Sequence, residues 1–134
     1  CWDNHLYLMD DIIKRAEEKG FTLNHKWELE ITLVRGESRI DLFFYRKNKN
    51  EAYTHLYDQE RIAKYLVVPV HFYERLEPIE FYGMYFLAPS PVNDFLTFKY
   101  GNWNTKIHRS QYSCINPEQH KAVRDSYDIH NTHI

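Results

Sequence analysis

The sequence predicts an α+β fold, a mixed β-sheet with helices packed on one face, and three observations predict it. Apolar residues recur at spacings of three and four from Leu8 to Ala16, switch to alternation in "ELEITLVRGESRIDLFFYR", and return to a capped helical pattern after Ser90. A chain of 134 residues supports one core, burying roughly two thirds of the surface exposed on unfolding, so residues 1–134 read as a single domain. Rings are abundant, with 11 Tyr, 8 Phe and 3 Trp, so the core and any binding groove should be ring-lined.

In the first element, Leu8, Met9, Ile12, Ile13 and Ala16 form one helical face, Asp10 or Asp11 stands as its cap, and Gly20 sits where a left-handed stop costs little. Lys14, Arg15, Glu17, Glu18 and Lys19 form its solvated face. From Phe21 two strands follow, joined at Gly36-Glu37-Ser38. A turn centred there puts Leu29, Ile31 and Leu33 on one face with Ile40, Leu42 and Phe44, and Glu30, Thr32 and Asp41 on the other, near Arg39. The apolar side suits a packed helix.

"NEAYTHLYD" (50–58) and "AKYLVVPVHFY" (63–73) read as β, with Pro69 marking an edge or a strand end because it cannot donate to a ladder. "IEFYGMYFLAP" (79–89) reads as a tight hairpin or a bulged ribbon through Gly83. In "SPVNDFLTFKYG", Ser90 stands as cap, Pro91 at the first helical position, Asp94 in the first turn and Gly101 as stop, with Val92, Phe95 and Leu96 turned inward. "NPEQHKAV" repeats the device, with Asn116 as cap, Pro117 after it and Gln119 completing a capping box. The final "IHNTHI" should fray.

Several classes of function are disfavoured. A formal charge of −2 gives no basic field for general nucleic-acid binding. No apolar run approaches the ~20 residues that cross a bilayer, and no charged-then-apolar leader opens the chain. Opening on Cys1 without Met suggests a processed chain or an excised piece. Cys1 and Cys114 could pair or remain thiols. With four Gly there is no phosphate loop, and no nucleophile elbow is present. The eight His lack the close pairing of a zinc site, apart from His130 and His133 in the tail.

Two places invite chemistry. Asp41 lies inside an oily strand, where an unpaired carboxylate is costly, so it either pairs with Arg35 or Arg39 or awaits a cation. Around "YGNWNTK", Lys99, Lys106 and Arg109 surround Tyr100 and Trp103. Rings and cations together suit a nucleotide or phosphorylated sugar, although Tyr100 and Trp103 could equally close the core beneath the helix end.

In this order and spacing, "DIIKRAEEKGFTLNHKW", "LEITLVRGESRIDLFFY", "KYLVVP" and "DFLTFKYGNWNTK" resemble the catalytic domain of the fukutin, fukutin-related and LicD family, nearest its fukutin branch. Members are phosphotransferases with a nucleotidyltransferase fold akin to that of polymerase beta. The resemblance implies a metal-dependent phosphotransferase that moves a phosphoalditol or phosphocholine group from a CDP-activated donor to a glycan, in the Golgi. Asp41 then matches the catalytic and metal-holding carboxylate, with Mg²⁺ or Mn²⁺ as cofactor and Glu30 as a second ligand. Arg39, Lys99, Tyr100, Trp103 and Lys106 become the substrate-binding candidates. The family's acid pair falls immediately before Cys1, or else "WDNHLYL" takes its place with His5 and Tyr7 at the acid positions and Asp3 nearby. Taken alone, the chain is then expected to be inactive, and the alternative is a pseudoenzyme that binds a glycan or nucleotide.

Overall fold

The structure, a computed structural model, describes residues 3–57, 63–113 and 120–128. Its described elements are mixed helix and antiparallel sheet, in two compact units, Cys1–Lys47 and Asn48–Ile134.

In the first unit a 3-10 turn, Asp3–Leu8, runs into α1 (Met9–Glu17), followed by β1 (Thr22–Lys26), β2 (Glu30–Arg35) and β3 (Ser38–Phe43). The strands form one antiparallel sheet in the order β1-β2-β3. Ile31 faces Leu42, Leu33 faces Ile40 and Thr32 faces Asp41, the register expected from the alternation. Arg35 pairs with Ser38 across a two-residue turn whose first residue, Gly36, has φ 57°; a hairpin of this kind takes glycine at that position because its backbone twist matches that of the strands.

The apolar sheet face meets α1. Met9, Ile13, Leu29, Ile31, Leu33 and Phe44 are buried together, with Ile12, Ala16, Phe21 and Leu42 packed against them. Each such side chain contributes about 1.5–3 kcal/mol on burial. Lys26 Nζ reaches Asp10 Oδ1 at 2.8 Å, tying strand to helix at the surface. Asp10 and Asp11 do not cap α1: its N-cap is Leu8, with no side-chain cap bond, and both acids lie inside the first turn. The preceding 3-10 turn feeds directly into the helix, and the acids act on its dipole instead. The stop at Gly20 is as expected. Gly20 has φ 81°, its N–H donates to Glu17 and that of Phe21 donates to Ala16, a Schellman arrangement.

The second unit's sheet has the order β4-β5-β6-β9, from β4 (Arg46–Asn48), which straddles the boundary, through β5 (Glu51–Tyr57) and β6 (Ala63–Pro69) to β9 (Val123–Arg124). β6 lies between two neighbours and Leu66, Val67 and Val68 are all buried, so its apolar run need not alternate. Pro69 ends the strand as expected, but the β reading of 63–73 extends too far. His71–Glu74 form a single helical turn, α2. This turns Phe72 inward, where its ring lies 5.5 Å from Phe95 and 5.9 Å from Phe98; packing has overridden the β-propensity of the aromatic residues.

β7 (Leu76–Phe81) and β8 (Met84–Pro89) form a separate hairpin through Tyr82 and Gly83, both at positive φ. Next comes α3 (Val92–Tyr100), which stops at Gly101 with φ 66°. Ser90 is not its cap. The N-cap is Pro91, and the capping group is Glu77, whose carboxylate accepts from Val92 N–H at 3.2 Å and from the Ser90 hydroxyl at 3.0 Å. A strand thus satisfies the helix end that Ser90 was expected to serve. Asn116, Pro117 and Gln119 lie outside the described residues, as does the "IHNTHI" tail; at the end of "NPEQHKAV", Val123 belongs to β9 and not to a helix. No helix among the described residues is long and apolar enough to cross a membrane.

Glu77→Ala should lower the stability of the intact chain by about 1 kcal/mol, the usual cost of a lost cap, read as a reduced urea midpoint. A midpoint equal to that of the unaltered chain would show that Glu77 does not serve α3.

Candidate functional site

The polar face of the first sheet gathers charge by register. Thr32 is opposite His25 on one side and Asp41 on the other, which leaves Glu30 and Arg39 as near neighbours on the same face. Asp41 has its partner here. Arg39 Nε donates to both carboxylate oxygens, at 2.9 and 3.1 Å, and the Thr32 hydroxyl donates to Oδ1 at 2.7 Å. Arg35 is directed elsewhere, to the Lys19 carbonyl at 3.0 Å and over the Phe21 ring at 4.5 Å. The choice between the two arginines follows from geometry: residues two apart on a strand share a face, and Arg39 and Asp41 are two apart.

Asp41 keeps a side-chain exposure of 32 % while Thr32 is fully buried. Glu30 is half-buried. Its carboxyl is pushed above 4.5, first by burial and next by the Asp41 charge, against the pull of His25, Arg39 and a hydrogen bond from Thr32. Two carboxylates and one guanidinium therefore share a strip of sheet. Arg39 occupies the side of Asp41 that a divalent ion would take, and among the described residues no three His, Cys, Asp or Glu side chains are grouped to hold a metal.

The second group lies in the other unit, around the end of α3. A cleft of ≈ 590 Å³ is lined by Leu96, Tyr100, Trp103, Ile107, Tyr112 and Lys121, with Gly101, Asn102 and Thr105 between them. Trp103 is 37 % exposed, and its indole N–H donates to Thr97 Oγ1 at 3.3 Å. That bond fixes the ring at the cleft wall. Lys99 is part-buried with its ammonium over the Phe95 and Tyr100 rings, at 5.3 and 5.2 Å, and burial lowers its pKa. Lys106 is exposed and is not among the lining residues. The cation at the cleft is Lys121.

Sequence reasoning missed Lys121, Tyr112 and His120. Lys121 arrives from 22 positions beyond Lys99, held by its backbone N–H donating to the Lys99 carbonyl. No local pattern marks such a return. His120 is 4 % exposed, meets the Tyr100 ring edge-on at 4.7 Å, and its Nδ1 has no hydrogen-bond partner. Burial, and then the Lys99 charge, push its pKa down to about 4. It supports the cleft from behind as a neutral ring.

A further cleft, ≈ 480 Å³, is lined by Asn48, Glu51, Arg124 and Tyr127 among others. Its polar groups bond to one another: Arg124 to Glu51 at 3.0 Å, the Tyr127 hydroxyl to Glu51 at 2.9 Å, and Asn48 to that hydroxyl at 3.2 Å. These contacts leave it less ready for a ligand than the ring-lined cleft.

Because Glu30 has a raised folded-state pKa, it contributes stability that is full below its unfolded value near 4.5 and is lost as pH rises through the raised one. Glu30→Gln should therefore match the unaltered chain at pH 4 and be more stable at pH 7, by a few tenths to about 1 kcal/mol after solvent screening. Urea unfolding at the two pH values checks this, and a destabilised pH 7 variant would contradict it. Compared with known proteins, the chain is matched by no family model and by no curated protein, so its chemistry is read from these two groups of residues.

Proposed function

We propose that the chain is a nucleotide-binding module of fukutin-like type, which takes the nucleotide part of a CDP-activated donor in the cleft beside the end of α3. The observation that carries this reading is the cleft's wall: Tyr100, Trp103 and Tyr112 supply aromatic rings and Lys121 supplies a cation, in one concavity of ≈ 590 Å³. A base stacks on an aromatic face for about 1–3 kcal/mol, and an ammonium pairs with phosphate as a point charge. Asn102 and Thr105 add amide and hydroxyl groups that can read a base or sugar edge.

Titration of the chain with CDP tests it. Indole fluorescence should change on binding, and Trp103→Ala should weaken affinity by roughly 5- to 100-fold, the equivalent of one lost stack. Lys121→Ala should weaken CDP more than cytidine, since only the diphosphate meets the ammonium. Equal CDP affinity in all three proteins would remove the cleft from this role.

A second reading is favoured by the adjacency of Glu30 and Asp41 on one sheet face, where burial, and after it the Asp41 charge, raises the Glu30 pKa. On this reading the chain is part of a phosphotransferase that moves a phosphoalditol or phosphocholine group to a glycan, with Mg²⁺ or Mn²⁺ held by Asp41 and Glu30. As arranged, these two residues do not by themselves fit a divalent ion, and Arg39 has to leave Asp41 first. Calorimetric titration with Mn²⁺ decides the point. The second reading expects binding that Asp41→Asn abolishes and Arg39→Ala strengthens; no binding in any of the three proteins eliminates it.

A further inference from the structure

The β7-β8 hairpin carries a surface that neither reading uses. From Phe81 to Pro89 the sequence has no charged side chain. Tyr82 is 87 % exposed, Tyr85 75 % and Leu87 69 %, with Phe81, Met84 and Phe86 also open to solvent. At about 200 Å² for each large side chain, these six residues expose on the order of 800 Å² over the two faces and the tip of the hairpin, of which the four on β8 expose about 500 Å²; a single apolar patch on a monomer seldom exceeds a few hundred. Two copies meeting through β8 would bury about 1,000 Å² in total, the lower end of the range for a specific interface.

The two edges of this hairpin are unequal. β7 carries Pro78, which has no N–H, flanked by Glu77 and Glu80, and these are the devices that keep an edge from pairing. β8 has none of them between Met84 and Ala88. Among the described residues the hairpin is a two-stranded sheet, so the outer side of β8 has no strand against it. The tip is also held in shape. Tyr82 and Gly83 take φ 51° and 74° in a two-residue turn, and the Phe81 ring sits 4.5 Å from Tyr82 and 6.4 Å from Phe86. An ordered arm loses little freedom on docking.

We propose that β8 pairs antiparallel with β8 of a second copy of this chain, giving a two-fold dimer joined by a four-stranded sheet. The contact is isologous: one strand edge meets itself, Tyr85 and Leu87 pack on their counterparts on one face, and Met84 and Phe86 do so on the other. A second copy is the fitting occupant because the apolar residues of β8 expose enough area for a small specific interface and the open edge is complementary to itself.

Light scattering and sedimentation equilibrium on the full chain test the dimer directly. The expected mass is twice 16.4 kDa across the micromolar range, and Leu87→Lys should weaken self-association by at least tenfold with an unchanged far-UV spectrum. Tyr85→Glu serves as a second, independent variant at an exposed position. A monomeric unaltered chain overturns the proposal, as does a dimer that survives both substitutions. So does a monomer that sediments with phosphatidylcholine vesicles, which would assign the hairpin to a lipid surface.

Discussion

The pairing of Thr32 with Asp41 across β2 and β3 is the contact on which the first unit depends. A strand shifted by one residue presents its other face, so this pairing decides at once that Ile31, Leu33 and Leu42 meet α1 and that Glu30, Arg39 and Asp41 do not. The apolar side enforces the register through the burial of six core residues, and the polar side inherits it. Gly36 adds a local constraint by admitting the two-residue turn. The charges on the outer face are thus placed by hydrophobic packing on the inner one.

That placement explains the electrostatics of the strip. A carboxylate beside a guanidinium and a hydroxyl, at distances of 2.7 to 3.1 Å, is well satisfied even in a partly covered position. Glu30 is less favoured, because burial and the Asp41 charge both oppose its ionisation. The strip thus holds a carboxylate with its hydrogen-bond partners in place beside one whose ionisation burial opposes.

What could be read from the sequence was whatever depends on nearby residues. The β2-β3 register, the hairpin through Gly83 and the stops at Gly20 and Gly101 follow from alternation and from positions that need positive φ. Helix starts were less legible, since a helix end accepts any donor or acceptor within reach: α3 takes Glu77 from 15 positions before Val92, and α1 takes the turn that precedes it. Phe72 was read as a strand residue because its β-propensity is local while its contact with Phe95 and Phe98 is not. For the same reason Tyr100 and Trp103 could be found by composition, but Lys121 and Tyr112 could not. The division at Lys47 and Asn48 leaves no trace in a stretch that lacks a Gly- or Ser-rich linker.

The bond from Lys121 N–H to the Lys99 carbonyl ties together two points 22 positions apart in the chain. Closure entropy grows only logarithmically, about 0.6 kcal/mol for each doubling of length, so insertions here are cheap for the fold. Tyr100 and His120 each lie next to one end of that clasp, whereas Trp103, Ile107 and Tyr112 belong to the stretch of chain between its ends. The rim residues can therefore be exchanged or displaced at little cost to the helix and sheet that the clasp joins.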